Sequence, residues 1–381
     1  MTAPSAADRA FHAAFAALVD GRIEAGARAL ETLAADGHVE AAHELARLHL
    51  YRMHPAPDAE AGRRHLDDAA GTGHPGARYT RAVVTAGDAD GRWAEDLQAA
   101  ARAGHPLAWR SLAMLWAAQP EASAQASATR WFALGAGAGD PVALALWRRR
   151  APTAVPVAPT PAAVAAALAE APPLDVAHAT RALPPLRDDE DWRLQEAAFG
   201  PEDAAYLQAL ATPLLEPSQA WDPASGGTLR VPIRTSHDAP IDPLMEDVAM
   251  RLLQRRLCGL AGCPAINAEP MVVLRYRPGQ EYRLHRDLLP PSTLADPVQG
   301  RGGQRVATVL AYLNAVDEGG ETDFPRRDVR VAPRAGAALV FRNLRPDGSP
   351  DEDSLHAGLP VRRGEKWIAT LWIRGGAVRG F

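Results

Sequence analysis

The sequence predicts a multidomain protein of mixed α and β class: an α-helical repeat domain, then a closed or double-sheet β domain with supporting helices. Three observations carry this reading. A phrase of Ala, two residues, Gly, three residues and Ala recurs through residues 1–150. Residues 151–190 are broken repeatedly by proline. From about Trp192 the texture shifts to short β-branched and aromatic runs separated by Gly, Pro and Asp turns, and helices followed by many strands is the pattern of a β core with attached helices.

The repeat is carried by Ala34/Gly37/Ala41, Ala70/Gly73/Ala77, Ala101/Gly104/Ala108 and Ala136/Gly139/Ala143, with the glycines 36, 31 and 35 residues apart. Each period fits one helical hairpin. The glycine can take the positive φ of a helix C-terminal cap, and the proline that follows in three copies is suited to the first turn of the next helix. The alanines let neighbouring helices approach closely. Units of this kind cannot bury their apolar faces alone and stack into a solenoid. The Ala/Gly phrases resemble Sel1-like repeats, relatives of tetratricopeptide repeats, over residues 10–150.

Residues 151–190, with APTAVPVAPTPAAV and APPLDVAHATRALPPLRDDED, read as a linker or strap, with a short helix surviving in PAAVAAALAE. Helices are predicted next at PEDAAYLQALATPL and PLMEDVAMRLLQRRL. Strands follow at 270–276, 281–288, 305–313, 337–341 and 366–374, where β-branched and aromatic residues cluster between turn phrases such as RPGQ and DEGG. The β domain is taken to cover residues 191–381.

Composition narrows the functional classes. With 381 residues, 47% hydrophobic, 23% charged and a formal charge of −5, the chain has an ordinary globular balance and no basic footprint for nucleic acid. No run of about 18 apolar residues is present to span a bilayer, and the Asp8–Arg9 start of the first helix is unlike an export signal. Cys258 and Cys263 are the only cysteines, too few for a tetrahedral zinc site and in keeping with a reducing, cytoplasmic compartment.

The chemistry concentrates in EYRLHRDL. Residues two apart on a strand point the same way, so His285 and Asp287 share a face while Arg286 takes the other. An imidazole and a carboxylate so placed can share one metal. The third ligand must come from His237 or His356, the other histidines of this domain. Two histidines and a carboxylate cap one face of an octahedron and leave positions open for a co-substrate and O2, as in non-haem Fe(II) oxygenases.

His356 stands 71 residues after His285, and Lys366 ten residues after His356. Lys366 is the one lysine among 41 basic residues, so it is either a random leftover or a place where a guanidinium does not serve. It opens a strand whose faces are both largely apolar, with Lys366, Ile368, Thr370 and Trp372 on one side. An inward ammonium there needs an anion. The dicarboxylate 2-oxoglutarate would supply one, its far carboxylate reaching the lysine while its other end chelates the metal.

Taken together, YRPGQEYRLHRD, GGQRVATVLAYLN, EGGETDFP, APRAGAALVF and SLHAGLPVRRGEKWIATLWIR resemble the prolyl 4-hydroxylase family of Fe(II)/2-oxoglutarate-dependent dioxygenases, from about Arg234 to Arg374. The resemblance implies a double-stranded β-helix, or jelly roll, with His285, Asp287 and His356 as iron ligands and Lys366 on the distal carboxylate of 2-oxoglutarate. It further implies that Tyr276 and Thr308 bond or pack around that co-substrate, that Trp372 walls the pocket, and that Arg234, Tyr282 and Arg305 face the substrate. Two departures lie on the substrate side: the Pro/Gly-rich segment 288–304 lacks aromatics, and Arg374 stands where some collagen-type relatives carry histidine.

The activity so implied consumes 2-oxoglutarate and O2, with ascorbate as a reductant, and hydroxylates an unactivated C–H bond, a peptidyl proline first of all. The helical repeats would present a concave surface to the protein partner. Hydroxylation of a free amino acid or natural-product intermediate is the second reading, and a non-turning-over 2-oxoglutarate or oxygen sensor the third.

Overall fold

The computed structural model describes residues 5–222, 227–229 and 233–381. Its N-terminal half is helical, with helices at Ala6–Val19, Ile23–Ala35, Val39–Leu50, Ala59–Gly71, Pro75–Val84, Arg92–Arg102, Pro106–Ala117, Ala122–Gly137 and Pro141–Arg150. Each packs on the next in the chain. The recurring phrase explains both ends of these helices. Gly37, Gly73, Gly104 and Gly139 all have φ between 86° and 92°, the left-handed region that stops a helix. At the start of the following helices, His38 and His74 accept hydrogen bonds through Nδ1 from the amides of Ala41 and Ala77, and the Asp140 carboxylate accepts from Val142 and Ala143. Ala41, Ala77, Ala108 and Ala143 are each 0% exposed, so the small residues do sit where helices meet.

Residues 151–190 lie against this half. The helix Pro161–Glu170 buries Val164 and Ala167, and the Leu186 amide bonds to the Leu260 carbonyl in the second half.

The helices Pro201–Ala211 and Val248–Leu260 join the two halves. One apolar cluster runs without a break from Leu66 and Trp93 through Tyr206 and Leu253 to Leu371 and Ile373. At its centre sits a buried polar joint. Arg110 bonds at 2.9 Å to both Asp140 and Asp247, the Tyr206 hydroxyl donates to Asp247 at 2.9 Å, and Asp247 also caps Val248–Leu260 through the Met250 amide. Cys258 and Cys263 are free thiols, and burial pushes the Cys258 thiol up to about 12. It is a core residue and not a nucleophile.

The C-terminal part is antiparallel sheet. A seven-stranded sheet runs in the spatial order Trp192–Gln195, Ala338–Arg342, Arg305–Tyr312, Lys366–Arg374, Val272–Tyr276, His237–Pro240, Glu216–Pro217. A four-stranded sheet runs Val329–Val331, Thr322–Phe324, His356–Gly358, Tyr282–His285. This two-sheet arrangement is consistent with a jelly roll.

Lys366–Arg374 is central, paired to Val272–Tyr276 on one side and Arg305–Tyr312 on the other. Its Ala369, Leu371 and Ile373 face the helices, in the core that the two halves share. Its alternate residues face the smaller sheet.

The Asp247 carboxylate is 0% exposed, so removing its guanidinium partner leaves a buried charge short of compensation. Arg110→Ala should cost about 3–5 kcal/mol, read as a lower urea midpoint. Arg110→Lys, which cannot fork to both Asp140 and Asp247, should recover only part of the loss.

Candidate metal centre

The smaller sheet brings the two histidines together by strand pairing: His356 and His285 are direct cross-strand neighbours. Asp287 lies two residues on, past the end of its strand. His285, Asp287 and His356 each offer a ligand atom within 4.8 Å of the others, the one such group among the described residues. Asp287 Oδ1 is 3.6 Å from His285 Nε2, and Asp287 Oδ2 is 3.8 Å from His356 Nε2. His237 lies in the other sheet and outside the group.

Each ring is oriented from behind. His285 Nδ1 bonds to the Arg283 carbonyl at 2.8 Å and His356 Nδ1 to the Ser354 carbonyl at 2.9 Å. Those carbonyls can only accept, so both Nδ1 atoms carry the hydrogen and both Nε2 lone pairs face Asp287, the arrangement that metal-binding imidazoles require. Ring contacts complete the packing. Tyr282 stacks on His285 with centroids 3.4 Å apart, and Phe341 meets the His356 ring edge-on at 4.9 Å.

Burial, with His356 beside it, holds His285 down to about 3, so it is neutral at physiological pH. Burial works against Asp287, but His356, His285, Arg305 and the Thr308 hydroxyl together keep its carboxyl below the ordinary range. The result is two imidazoles and one carboxylate that converge through their ligand atoms. That donor set suits a divalent first-row metal and, with three protein ligands, leaves coordination positions free.

Thr308 occupies a different place from the one expected of it. It does not line the cavity; its hydroxyl donates to Asp287 Oδ2 at 2.8 Å, and Asn343 Nδ2 donates to the Thr308 oxygen at 3.0 Å. Thr308 and Asn343 are both 0% exposed. They form a fixed line that aims the carboxylate. Asn343 was not legible as a functional residue in the sequence, where FRN following a strand looks like an ordinary turn.

The cavity beside the metal group lies between the two sheets. Tyr276, Leu310, Lys366, Ile368, Thr370 and Trp372 line it from the larger sheet, and Tyr282, His285, His356, Gly358 and Thr322 from the smaller. The residues Lys366, Ile368, Thr370 and Trp372 therefore do share the inward face. Lys366 is 2% exposed. Its Nζ lies 5.4 Å from the Tyr276 ring centre and 5.9 Å from that of Tyr312. No carboxylate of the described residues lies within ion-pair distance of it, and burial lowers its pKa to about 8. Gly358 leaves room above the amine: a Cβ there would sit 3.8 Å from Nζ. A buried cation with aromatic walls and an open space before it can be neutralised by an anionic ligand.

Outside this cavity opens a cleft of about 740 Å³. Arg234, Tyr282, Asp287, Arg305 and Trp372 line it, so the residues expected to face the substrate border the same space as one candidate metal ligand. Arg234 is paired with Asp238 at 2.7 Å and lies over the Tyr282 ring. Arg305 makes a two-pronged contact with Glu269 at 2.7 Å on each arm and stacks over Trp372 at 4.0 Å. Arg374 shares Glu269 and bonds to the carbonyls of Gln299, Arg301 and Gly303. The arginine in the place of a histidine thus ties down the 288–304 loop, a role the sequence did not disclose.

Comparison with known proteins agrees with the geometry. Residues 271–374 match the model of the 2OG-Fe(II) oxygenase superfamily. Two relatives from Arabidopsis thaliana are prolyl 4-hydroxylase 5, 35% identical over 191 residues, and prolyl 4-hydroxylase 1, 36% identical over 191 residues. The alignments cover 45% and 46% of this chain and 64% and 66% of the relatives. The chain therefore spans a little under two thirds of the length of the curated relatives it matches. A solved viral collagen prolyl hydroxylase from Paramecium bursaria Chlorella virus-1 aligns with a TM-score of 0.38 at 29% identity, covering 49% of this chain and 97% of that one. Residues 271–374, which carry the candidate metal group, are thus similar to the 2OG-Fe(II) oxygenase domain, with prolyl 4-hydroxylases among the homologues.

Proposed function

We propose that the protein is an Fe(II)- and 2-oxoglutarate-dependent dioxygenase that hydroxylates a peptidyl proline in a protein partner. The observation that carries this reading is one cavity holding three converging metal donors and a buried ammonium that makes no ion pair with a carboxylate of the described residues. His285, Asp287 and His356 would hold the metal, and Lys366 would take the distal carboxylate of 2-oxoglutarate. The chemistry supplied when Fe(II), 2-oxoglutarate and O2 are bound is oxidative decarboxylation to succinate and CO2, coupled to hydroxylation of a C–H bond.

The chain's own residues then have separable tasks. Thr308 and Asn343 hold the Asp287 carboxylate in one orientation. The carbonyls of Arg283 and Ser354 fix the imidazole tautomers. Tyr276, Ile368, Thr370 and Trp372 wall the co-substrate space and exclude water. Tyr282, Arg234 and Arg305 shape the floor on which the substrate lies. The volume of the cleft favours a peptide over a free amino acid, since about 740 Å³ is ample for several residues. The complete donor set and the unpaired lysine speak against a domain that only senses its ligands.

The recurring Ala/Gly hairpins read as a Sel1-like solenoid that engages the partner protein, and the free thiols suit a cytoplasmic setting with ascorbate as reductant.

Four outcomes are expected. His356→Ala should abolish the visible charge-transfer band that Fe(II) and 2-oxoglutarate give under argon, together with succinate release. Lys366→Ala should raise the KM for 2-oxoglutarate roughly tenfold or more, the loss of one charge-assisted contact. In the wild-type protein that KM should also climb as pH rises through about 8, where the buried ammonium loses its proton, and Lys366→Ala should not show the climb. Asn343→Ala should lower Fe(II) affinity or turnover by about 10–100-fold, as loss of outer support for a metal ligand does, while the KM for 2-oxoglutarate stays near wild type.

A further inference from the structure

The wall of the cleft opposite the oxygenase floor comes from the helical half. Leu50, Tyr51 and Arg52, at the end of the helix Val39–Leu50, line it together with Arg301 of the 288–304 loop. This is a fixed contact. The Arg52 guanidinium donates to the Arg379 carbonyl at 3.2 Å, Tyr51 meets Phe381 edge-on at 5.0 Å, and a Cβ on Gly380 would stand 2.3 Å from the Leu50 carbonyl. Nothing larger than glycine fits there.

The charges around the cleft fall into two groups. Arg234 is paired with Asp238, Arg286 with Glu352, Arg305 and Arg374 with Glu269, and Arg379 with Glu246. Arg52 and Arg301 have no carboxylate partner among the described residues. Arg52 Nε is buried and makes no hydrogen bond. The two cations are close enough that Arg301 joins burial in lowering the Arg52 pKa. Arg52 also has a φ of 59°, a conformation that glycine adopts freely and a long side chain adopts only under strain. Two unneutralised guanidinium groups facing one cleft repel each other until an anion joins them.

We propose that the cleft takes an acidic peptide, one carboxylate of which is held by Arg52 of the helical half and Arg301 of the loop, so that the helical half selects the substrate at the oxygenase site itself. The proposal rests on the hydroxylase reading for its substrate class. It goes further in assigning a charge preference and in giving Arg52 and Arg301 a role in specificity. A guanidinium pair recognises a carboxylate through short charge-assisted bonds, whether that group is a side chain or the end of the peptide.

The test uses the full chain with Fe(II) and 2-oxoglutarate under argon, and fluorescein-labelled proline peptides flanked by Glu, Gln or Lys, with free or amidated C-termini. By anisotropy, the Glu peptide should bind about tenfold or more tightly than the amidated Gln peptide. That preference should shrink to about twofold in Arg52→Ala and in Arg301→Ala, and turn toward the Lys peptide in Arg301→Glu. If the Gln exchange removes the affinity, the side chain is the anion; if amidation does, the terminus is. Equal binding of all peptides by wild type, or a preference untouched in every arginine variant, overturns the proposal. Arg301, on the loop, keeps the test decisive should Arg52→Ala fail to fold by thermal melt. Succinate release on admitting air separates the two readings. Charge-selective binding without peptide-dependent succinate overturns the hydroxylase and keeps the clamp; peptide-dependent succinate with no charge preference does the reverse.

Discussion

The register of one central strand governs the site. Lys366–Arg374 is held on both sides, with Lys366 opposite Tyr276 and Trp372 opposite Thr308. Because the side-chain period of a strand is two, a slip by one residue would turn Lys366, Ile368, Thr370 and Trp372 outward and bring Trp367, Ala369 and Leu371 into the cavity. That would place the ammonium among the helices, in an apolar core with no anion. The burial of Leu371 and Ile373 on the other face resists the slip. The same apolar packing that joins sheet to helices thereby fixes the charge at the ligand site.

Charge is organised by what guanidinium and ammonium groups can each do. The buried and half-buried carboxylates are nodes with several partners: Asp247 receives Arg110 and Tyr206, Glu246 receives Arg379 and Gln254, and half-buried Glu269 receives Arg305 and Arg374. A planar fork with several donors suits such nodes. In the cavity between the two sheets no carboxylate of the described residues stands within ion-pair distance, and a compact ammonium between Tyr276 and Tyr312 stands there instead. The lone lysine and the abundant arginines follow from one rule applied in two environments.

The two halves meet as parts of one apolar core, and the cleft lies at that meeting. Its floor is built by the sheets, one wall by the end of a helix in the first half, and its edge by a loop that Arg374 secures through three carbonyls. The cleft is consequently assembled from three distant stretches of chain, whereas the candidate metal donors come from two strands paired directly to each other and from the residue just past the end of one of them.

The sequence by itself determined the helix ends, the inward face of the last strand and the pairing of His285 with Asp287 two residues on. Each is a local matter: a glycine at positive φ, or a period of two along a strand. Only the tertiary structure decided which histidine completed the group, since the pairing of His356 with His285 is a contact between strands far apart in the chain. It also moved Thr308 from the cavity wall to a place behind Asp287, because a hydroxyl on a strand bonds whichever acceptor the neighbouring sheet delivers. Asn343 and Arg52 gained their roles in the same way. Their functions lie in the space between segments, and no pattern along the chain encodes that space.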